Sequence, residues 1–141
     1  MDKILLLSLV LISCGQARTK NQPRLPIHVL IDSIENHGSA KAFHALETAS
    51  LDHRPGTFLS TFMIMADKYH HAFATMTVYR QMALMYNIPQ LDHSENGIYA
   101  LDSLDKDIKN MVSRYLIKAA SLGNEEASEH LKEYRQKAII K

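Results

Sequence analysis

Residues 115–134 read YLIKAASLGNEEASEHLKEY, and this stretch decides the fold class. Apolar residues recur every three or four positions on both sides of Gly123, which is the spacing of a buried helix face. Glycine readily adopts the left-handed conformation that ends many helices, and asparagine is a preferred cap at a helix start. Gly123 and Asn124 therefore predict two helices that meet in a tight turn, and small Ala127 allows them to approach closely.

The same spacing occurs near the start of the helical pattern. Residues 65–74 look like a degenerate middle copy, with Tyr69 in the place expected for the glycine. Repetition at predicted helix junctions indicates an internal repeat of helical hairpins. The two clear copies each have glycine, a capping residue, alanine four positions after the glycine and leucine four after that: Gly38, Ala42 and Leu46, then Gly123, Ala127 and Leu131.

The segment 115–134 resembles the Sel-one-like repeat, a relative of the tetratricopeptide repeat. The resemblance implies a curved stack of helical hairpins that binds other proteins, and it identifies no single activity. Tyr69 at the middle junction and a long connection after the fourth helix depart from the family pattern. The residues that match the pattern are Lys118, Ala119, Ala120, Gly123, Asn124, Ala127 and Leu131.

Helical periodicity continues from Pro26 onward, and no segment alternates as a strand would. Proline, serine, threonine and asparagine at the expected starts predict six helices, paired as hairpins. The expected fold class is all-α, a short α-solenoid of about three helical hairpins over residues 27–141. The helices are predicted to begin at Ile27, after Ser39, after Thr57 (residues 58–69), near His71 (residues 71–86), after Ser103 and after Asn124.

A short apolar run precedes the only cysteine of the chain. Residues 4–12 contain one polar residue, Ser8, and follow the charged pair Asp2 and Lys3. The run is too short to span a bilayer, which takes about 20 apolar residues, and its form is that of a signal peptide. Ser13 and Cys14 at its end resemble the bacterial lipobox, which implies cleavage before Cys14 and diacylglycerol on its sulfur. The end of an ordinary signal peptide and a free thiol are the alternatives.

Residues 14–26 are polar and contain two prolines, so they predict a flexible tether between a lipid and the domain. Gly15 is not the aspartate that retains enterobacterial lipoproteins in the inner membrane, and the tether is basic rather than acidic. By those resemblances the protein would be lipid-anchored in the bacterial cell envelope, in the outer membrane and facing the periplasm. The net charge of +1 is spread along the chain and indicates no nucleic-acid partner.

Asp67, His70 and His71 are the only candidates for a metal-dependent site. Asp67 and His71 are one helical turn apart and would face the same side of a helix. They also fall at a predicted helix end, where histidine is favoured by the helix dipole, and no HExxH motif is present. We therefore predict no catalytic, cofactor or metal residue, and a small envelope enzyme that uses these three residues remains the alternative.

The connection predicted over residues 87–102 is long enough to be functional. Its apolar and charged residues could contact a protein partner, whereas a solvated linker is the alternative. The expected function is a lipid-anchored scaffold that binds another protein without catalysis, either an immunity protein or an assembly adaptor, and a structural spacer remains open. The predicted contact residues are Asp92, His93, Ile98 and Tyr99.

We predict that Cys14 is lipidated and that the mature chain begins at this residue. Intact-mass spectrometry of the membrane fraction should show a chain starting at Cys14 and carrying acyl groups. The Cys14→Ala variant should lose these groups and leave the membrane fraction. A Cys14→Ala protein that stays acylated and membrane-bound to the same extent would contradict the prediction.

Overall fold

The computed structural model describes residues 25–88 and 100–137, and every regular element in these ranges is helical. The prediction of an all-α chain is confirmed. No helix in the described ranges combines the length and the apolar character needed to cross a membrane. Six helices of nine residues or more lie there: α1 (Ile27–His37), α2 (Ala40–Ser50), α3 (Leu59–Asp67), α4 (Ala72–Met85), α5 (Lys106–Ser121) and α6 (Glu125–Gln136).

Helix α4 lies at the centre of the packing. It contacts α3 and α5 along its length, while α1 packs on α2 and α3, and α6 packs on α5. Its buried positions run around most of its circumference, so it is enclosed rather than amphipathic. The rings of Phe43 and Phe62 meet edge to face at 5.5 Å between centroids and join α2 to α3. The largest fully buried side chains are Tyr79, Tyr115, Phe43, Phe62, Ile34, Leu46, Met65, Met76, Met82, Leu101, Leu116 and Val78.

The turns that join α1 to α2, α3 to α4 and α5 to α6 each contain one residue in the left-handed conformation. Its φ is 60° at Gly38, 52° at His70 and 86° at Gly123. The Cβ atom makes this region unfavourable for every residue except glycine, and histidine is one of the few other residues enriched there. The prediction that Tyr69 takes the place of the glycine is therefore wrong by one residue.

The residue after each left-handed position caps the following helix. Its side chain accepts a hydrogen bond from the backbone N–H three residues later, one of the donors that a helix start leaves without an internal partner. The predicted caps Ser39 and Asn124 are confirmed, and His71 has the same role in the middle turn. The three bonds run from Ala42 N to Ser39 Oγ (3.2 Å), from Ala74 N to His71 Nδ1 (3.1 Å) and from Ala127 N to Asn124 Oδ1 (2.9 Å).

Each of these capped alanines is buried, and so is the aliphatic residue four positions later. An alanine Cβ takes little space, so the backbone of the following helix can lie close to its neighbours, as expected for Ala127. The middle turn keeps the spacing with valine in place of leucine. The aliphatic residues are Leu46, Val78 and Leu131.

Two predicted caps are wrong because their hydroxyl groups bond backward instead of forward. Thr57 and Ser103 each donate to the carbonyl three residues earlier, which is a common alternative for short polar side chains. Helix α3 consequently begins at Leu59, and α5 is capped by Asp105. Residues 100–102 are helical, so the connection predicted to reach residue 102 is shorter than expected.

Gly38 and Gly123 provide a matched test of the first turn. A Cβ at Gly38 would lie 2.7 Å from Cγ of the Tyr69 ring, whereas a Cβ at Gly123 would have no neighbour within 4 Å. Alanine at either site should cost about 1–2 kcal/mol for the left-handed backbone. Gly38→Ala should cost about 1–3 kcal/mol more, because the ring is overpacked. Urea denaturation measures both, and equal losses of stability would contradict the contact with Tyr69.

Candidate functional site

The connection between α4 and α5 is fixed to the core at both of its ends. Ile88 and Leu101 are 3% and 0% exposed, so the chain leaves and re-enters the core at defined points. The side chains predicted to contact a partner fall between these two residues. The predicted contact residues and the predicted lipidation site lie outside the described ranges: Asp92, His93, Ile98, Tyr99 and Cys14.

Asp67, His70 and His71 do not form a joint site. Asp67 pairs with residues of α5, His70 is an exposed turn residue, and His71 Nδ1 is occupied by the N–H of Ala74. Across residues 25–88 and 100–137, no group of three or more His, Cys, Asp or Glu side chains is placed to hold a metal ion. The geometry of these three residues is therefore that of a helix end and a helix cap.

The carboxylate of Asp67 is the centre of a polar network between α3 and α5. It accepts hydrogen bonds from Tyr115 Oη at 2.7 Å and from Lys118 Nζ at 2.6 Å. Burial alone would raise the pKa of Asp67, but these two donors outweigh it and hold the pKa below its usual range. Burial and the neighbouring carboxylate raise the pKa of Tyr115. The network therefore contains a stable carboxylate and a neutral phenol, not a poised acid–base pair.

Lysine side chains also bind the carbonyl ends of α1 and α3. Lys68 Nζ donates to Glu35 O at 2.9 Å, and Lys118 Nζ donates to Ala66 O at the same distance. The last carbonyls of a helix lack internal partners and carry its negative dipole end, so ammonium groups stabilise them. Tyr69 Oη donates to Glu35 O as well. Two successive odd-numbered helices are thus held at their C-terminal ends by a lysine from the next part of the chain.

The even-numbered helices are connected by hydrogen bonds and an ion pair of their own. Thr77 Oγ1 donates to Glu47 Oε1 at 2.9 Å and joins α4 to α2. Arg80 pairs with Glu126 and joins α4 to α6. The hydroxyl groups of Tyr79 and Tyr134 lie 3.4 Å apart in the core. Burial is the main cause that raises the pKa of Tyr79 far above its ordinary value, so this pair is neutral at any physiological pH.

Sequence patterns identified some of these residues but not their bonds. Tyr115 and Tyr134 lie on the apolar stripes on either side of Gly123, and both are buried. The bond from Tyr115 to Asp67 spans 48 positions, and no local pattern connects two residues so far apart. A lysine in the last turn of α5 was visible as part of the repeat pattern, but its target on α3 was not.

Comparisons with known proteins provide no independent identification. A scan against protein-family profiles, a search of curated proteins and a search of solved structures each found no match to this chain. Functional inference therefore depends on the geometry of the described residues and on the resemblances in the sequence.

His71 is the one titratable cap among the turns that join α1 to α2, α3 to α4 and α5 to α6. Its Nδ1 must be unprotonated to accept the N–H of Ala74. Partial burial lowers the pKa of His71, nearby His44 lowers it further, and Glu47 opposes both. The folded protein therefore binds a proton at His71 less readily than the unfolded chain does. The stability contributed by the neutral His71 is complete above the unfolded pKa of about 6.5 and is lost as pH falls through the folded pKa.

We predict that His71→Asn makes the stability less dependent on pH between about 7.5 and 5. Asparagine can accept the same hydrogen bond without titrating, as Asn124 does at the third turn. Urea midpoints of both proteins across this range provide the measurement, since histidines away from this turn are common to both proteins and cancel in the difference. An equal loss of stability in both proteins would contradict a neutral His71 cap.

Proposed function

We propose that this protein is a lipid-anchored helical-repeat scaffold that binds another protein in the bacterial cell envelope and has no catalytic activity. The observation that carries the proposal is the common geometry of the three hairpin turns. The middle turn keeps a left-handed residue, a capping side chain and a buried alanine although His70 and His71 replace the glycine and the polar cap. Hairpin repeats build extended surfaces, and their usual use is to bind other macromolecules.

In this proposal the chain is a short α-solenoid with α1 and α2, α3 and α4, and α5 and α6 as its hairpins. The order of packing supports it, because α1 contacts α3 and α4 contacts α5 in addition to the contacts within hairpins. The lysines at the carbonyl ends of α1 and α3 also recur from one unit to the next. This architecture agrees with the resemblance of residues 115–134 to the Sel-one-like repeat.

The cellular location of the protein is part of the same proposal. The apolar run at residues 4–12 and the lipobox-like Ser13 and Cys14 support a lipid anchor, with residues 14–26 as the tether. By the resemblances noted above, the domain faces the periplasm from the outer membrane. An immunity protein that neutralises a toxin and an assembly adaptor both fit a small anchored scaffold of this kind.

The connection after α4 is the proposed contact surface. The charges between α1, α3 and α5 are already satisfied within the chain, since Asp67 pairs with Lys118 and Glu35 accepts from Thr61. Those groups hold helices together and do not require an external partner. The connection starts and ends at buried residues, so its sequence can serve recognition without disturbing the core. The proposed contacts remain Asp92, His93, Ile98 and Tyr99.

A photo-crosslinking amino acid placed at Tyr99 tests this assignment in the native host. The full chain should form one discrete covalent adduct with an envelope protein, identifiable by mass spectrometry. The matched control places the same amino acid at His28, an exposed position on α1, and should give no adduct. Replacing residues 92–95 with glycine and serine should abolish the adduct at Tyr99 and leave the urea midpoint unchanged, because both ends of the connection stay buried.

Two results of this experiment would contradict the proposal. The absence of an adduct at Tyr99 in a membrane-bound, folded protein would contradict the connection as the contact surface. Equal adducts at Tyr99 and His28 would indicate random collision in the envelope and would contradict it as well.

A further inference from the structure

Two open grooves lie at opposite ends of the helix packing. The first, which we call the leading groove, lies between α1 and α2, has a volume of about 390 Å³ and includes Ile27, Leu30 and Ala45 in its lining. The second, the trailing groove, lies between α5 and α6, has a volume of about 510 Å³ and includes Ile117 and Leu131. Both have largely apolar walls, and no described residue of the chain fills either of them.

The leading groove lies on the face of α2 that is turned away from α4. Phe43 and Glu47 of α2 contact α4 through Phe73 and Thr77. At 100° per residue, Ala45 and Thr48 lie on roughly the opposite side of the helix. Both of these groove residues are exposed. The groove is therefore the outer face of the first hairpin, where a preceding hairpin would pack if the stack were longer.

The trailing groove has the same relation to α6. Glu126, His130 and Tyr134 of α6 contact α4 through Arg80 and Tyr79. The groove residues of α6 are displaced by about 170° from this set at 100° per residue. This face is where a following hairpin would pack. The groove residues of α6 are Ser128, Leu131, Lys132, Arg135 and Gln136.

The two grooves differ in charge. Lys132 and Arg135 line the trailing groove, and it contains no acidic residue among its lining residues. Asp52 is the acidic residue of the leading groove, whose lining contains no lysine or arginine. Apolar walls with charges of opposite sign favour contact between the two grooves and disfavour contact of either groove with its own copy.

We propose that copies of this chain associate head to tail, with the trailing groove of one copy on the leading groove of the next. Each contact would repeat between copies the kind of side-chain contacts that α4 makes with α2 and α6 within the chain. Because the contact joins two different surfaces, it is not satisfied within a twofold dimer and produces rings or open chains of copies. The inference rests on the proposed repeat architecture and is independent of the partner at the connection.

Cysteine cross-linking of the full chain in the membrane tests the arrangement. Thr48→Cys places a thiol in the leading groove and Ser128→Cys places one in the trailing groove, both at exposed positions. With a short bismaleimide, the double variant should give a ladder of dimers, trimers and larger species on denaturing gels. Neither single variant should give this ladder.

Charge reversal provides the second arm. In the double-cysteine protein, Lys132→Glu with Arg135→Glu should reduce the ladder several-fold, and further addition of Asp52→Lys should restore it. A ladder that appears in the double variant, is absent from both single variants and responds in this way supports the proposal. Dimers from either single variant to the same extent as from the double variant, or no ladder in the double variant, would overturn it. Neither result would bear on an adduct captured at Tyr99.

Discussion

The fold depends on a three-part constraint at three of its helix–helix turns: a left-handed residue, a side-chain cap and a buried alanine. The left-handed residue ends one helix, the cap supplies a partner for a backbone donor of the next, and the small alanine lets that helix start close to its neighbours. All three parts occur within five residues, at positions 38–42, 70–74 and 123–127. Once the turns fix the directions of the helices, they limit which neighbouring helices each apolar face can pack against.

Two of the three turns could be predicted from the sequence because their residues carry unambiguous conformational preferences. Glycine followed by serine or asparagine indicates a left-handed residue and a cap. The middle turn could not be placed to the residue, since histidine is a much weaker signal than glycine for a left-handed residue and is not among the preferred caps. Thr57 and Ser103 failed as caps for a related reason: a hydroxyl group can bond forward or backward, and local sequence does not decide between them.

The candidate sites were less predictable than the fold, because they depend on contacts between distant residues. Asp67 was considered as a metal ligand from its spacing to His71, yet its carboxylate bonds to Tyr115 and Lys118 of another helix. Each of the two end grooves combines residues of two helices. They are recognised only in the structure, which places them on the faces of α2 and α6 that are turned away from α4. A connection carries no periodic pattern, so Tyr99 and its neighbours were predicted as contact residues from residue type and loop length alone.

The most direct measurement of the central claim is the hydrogen bond at the middle turn. In ¹⁵N-labelled protein above neutral pH, a through-hydrogen-bond nitrogen–nitrogen coupling should connect Ala74 N with His71 Nδ1, and the backbone couplings of His70 should report a positive φ. Both results would show that His70 and His71 reproduce the turn formed by glycine and a polar cap at the other two junctions. No coupling at Ala74, together with a negative φ at His70, would contradict the equivalence of the three turns and with it the repeat on which the proposed function depends.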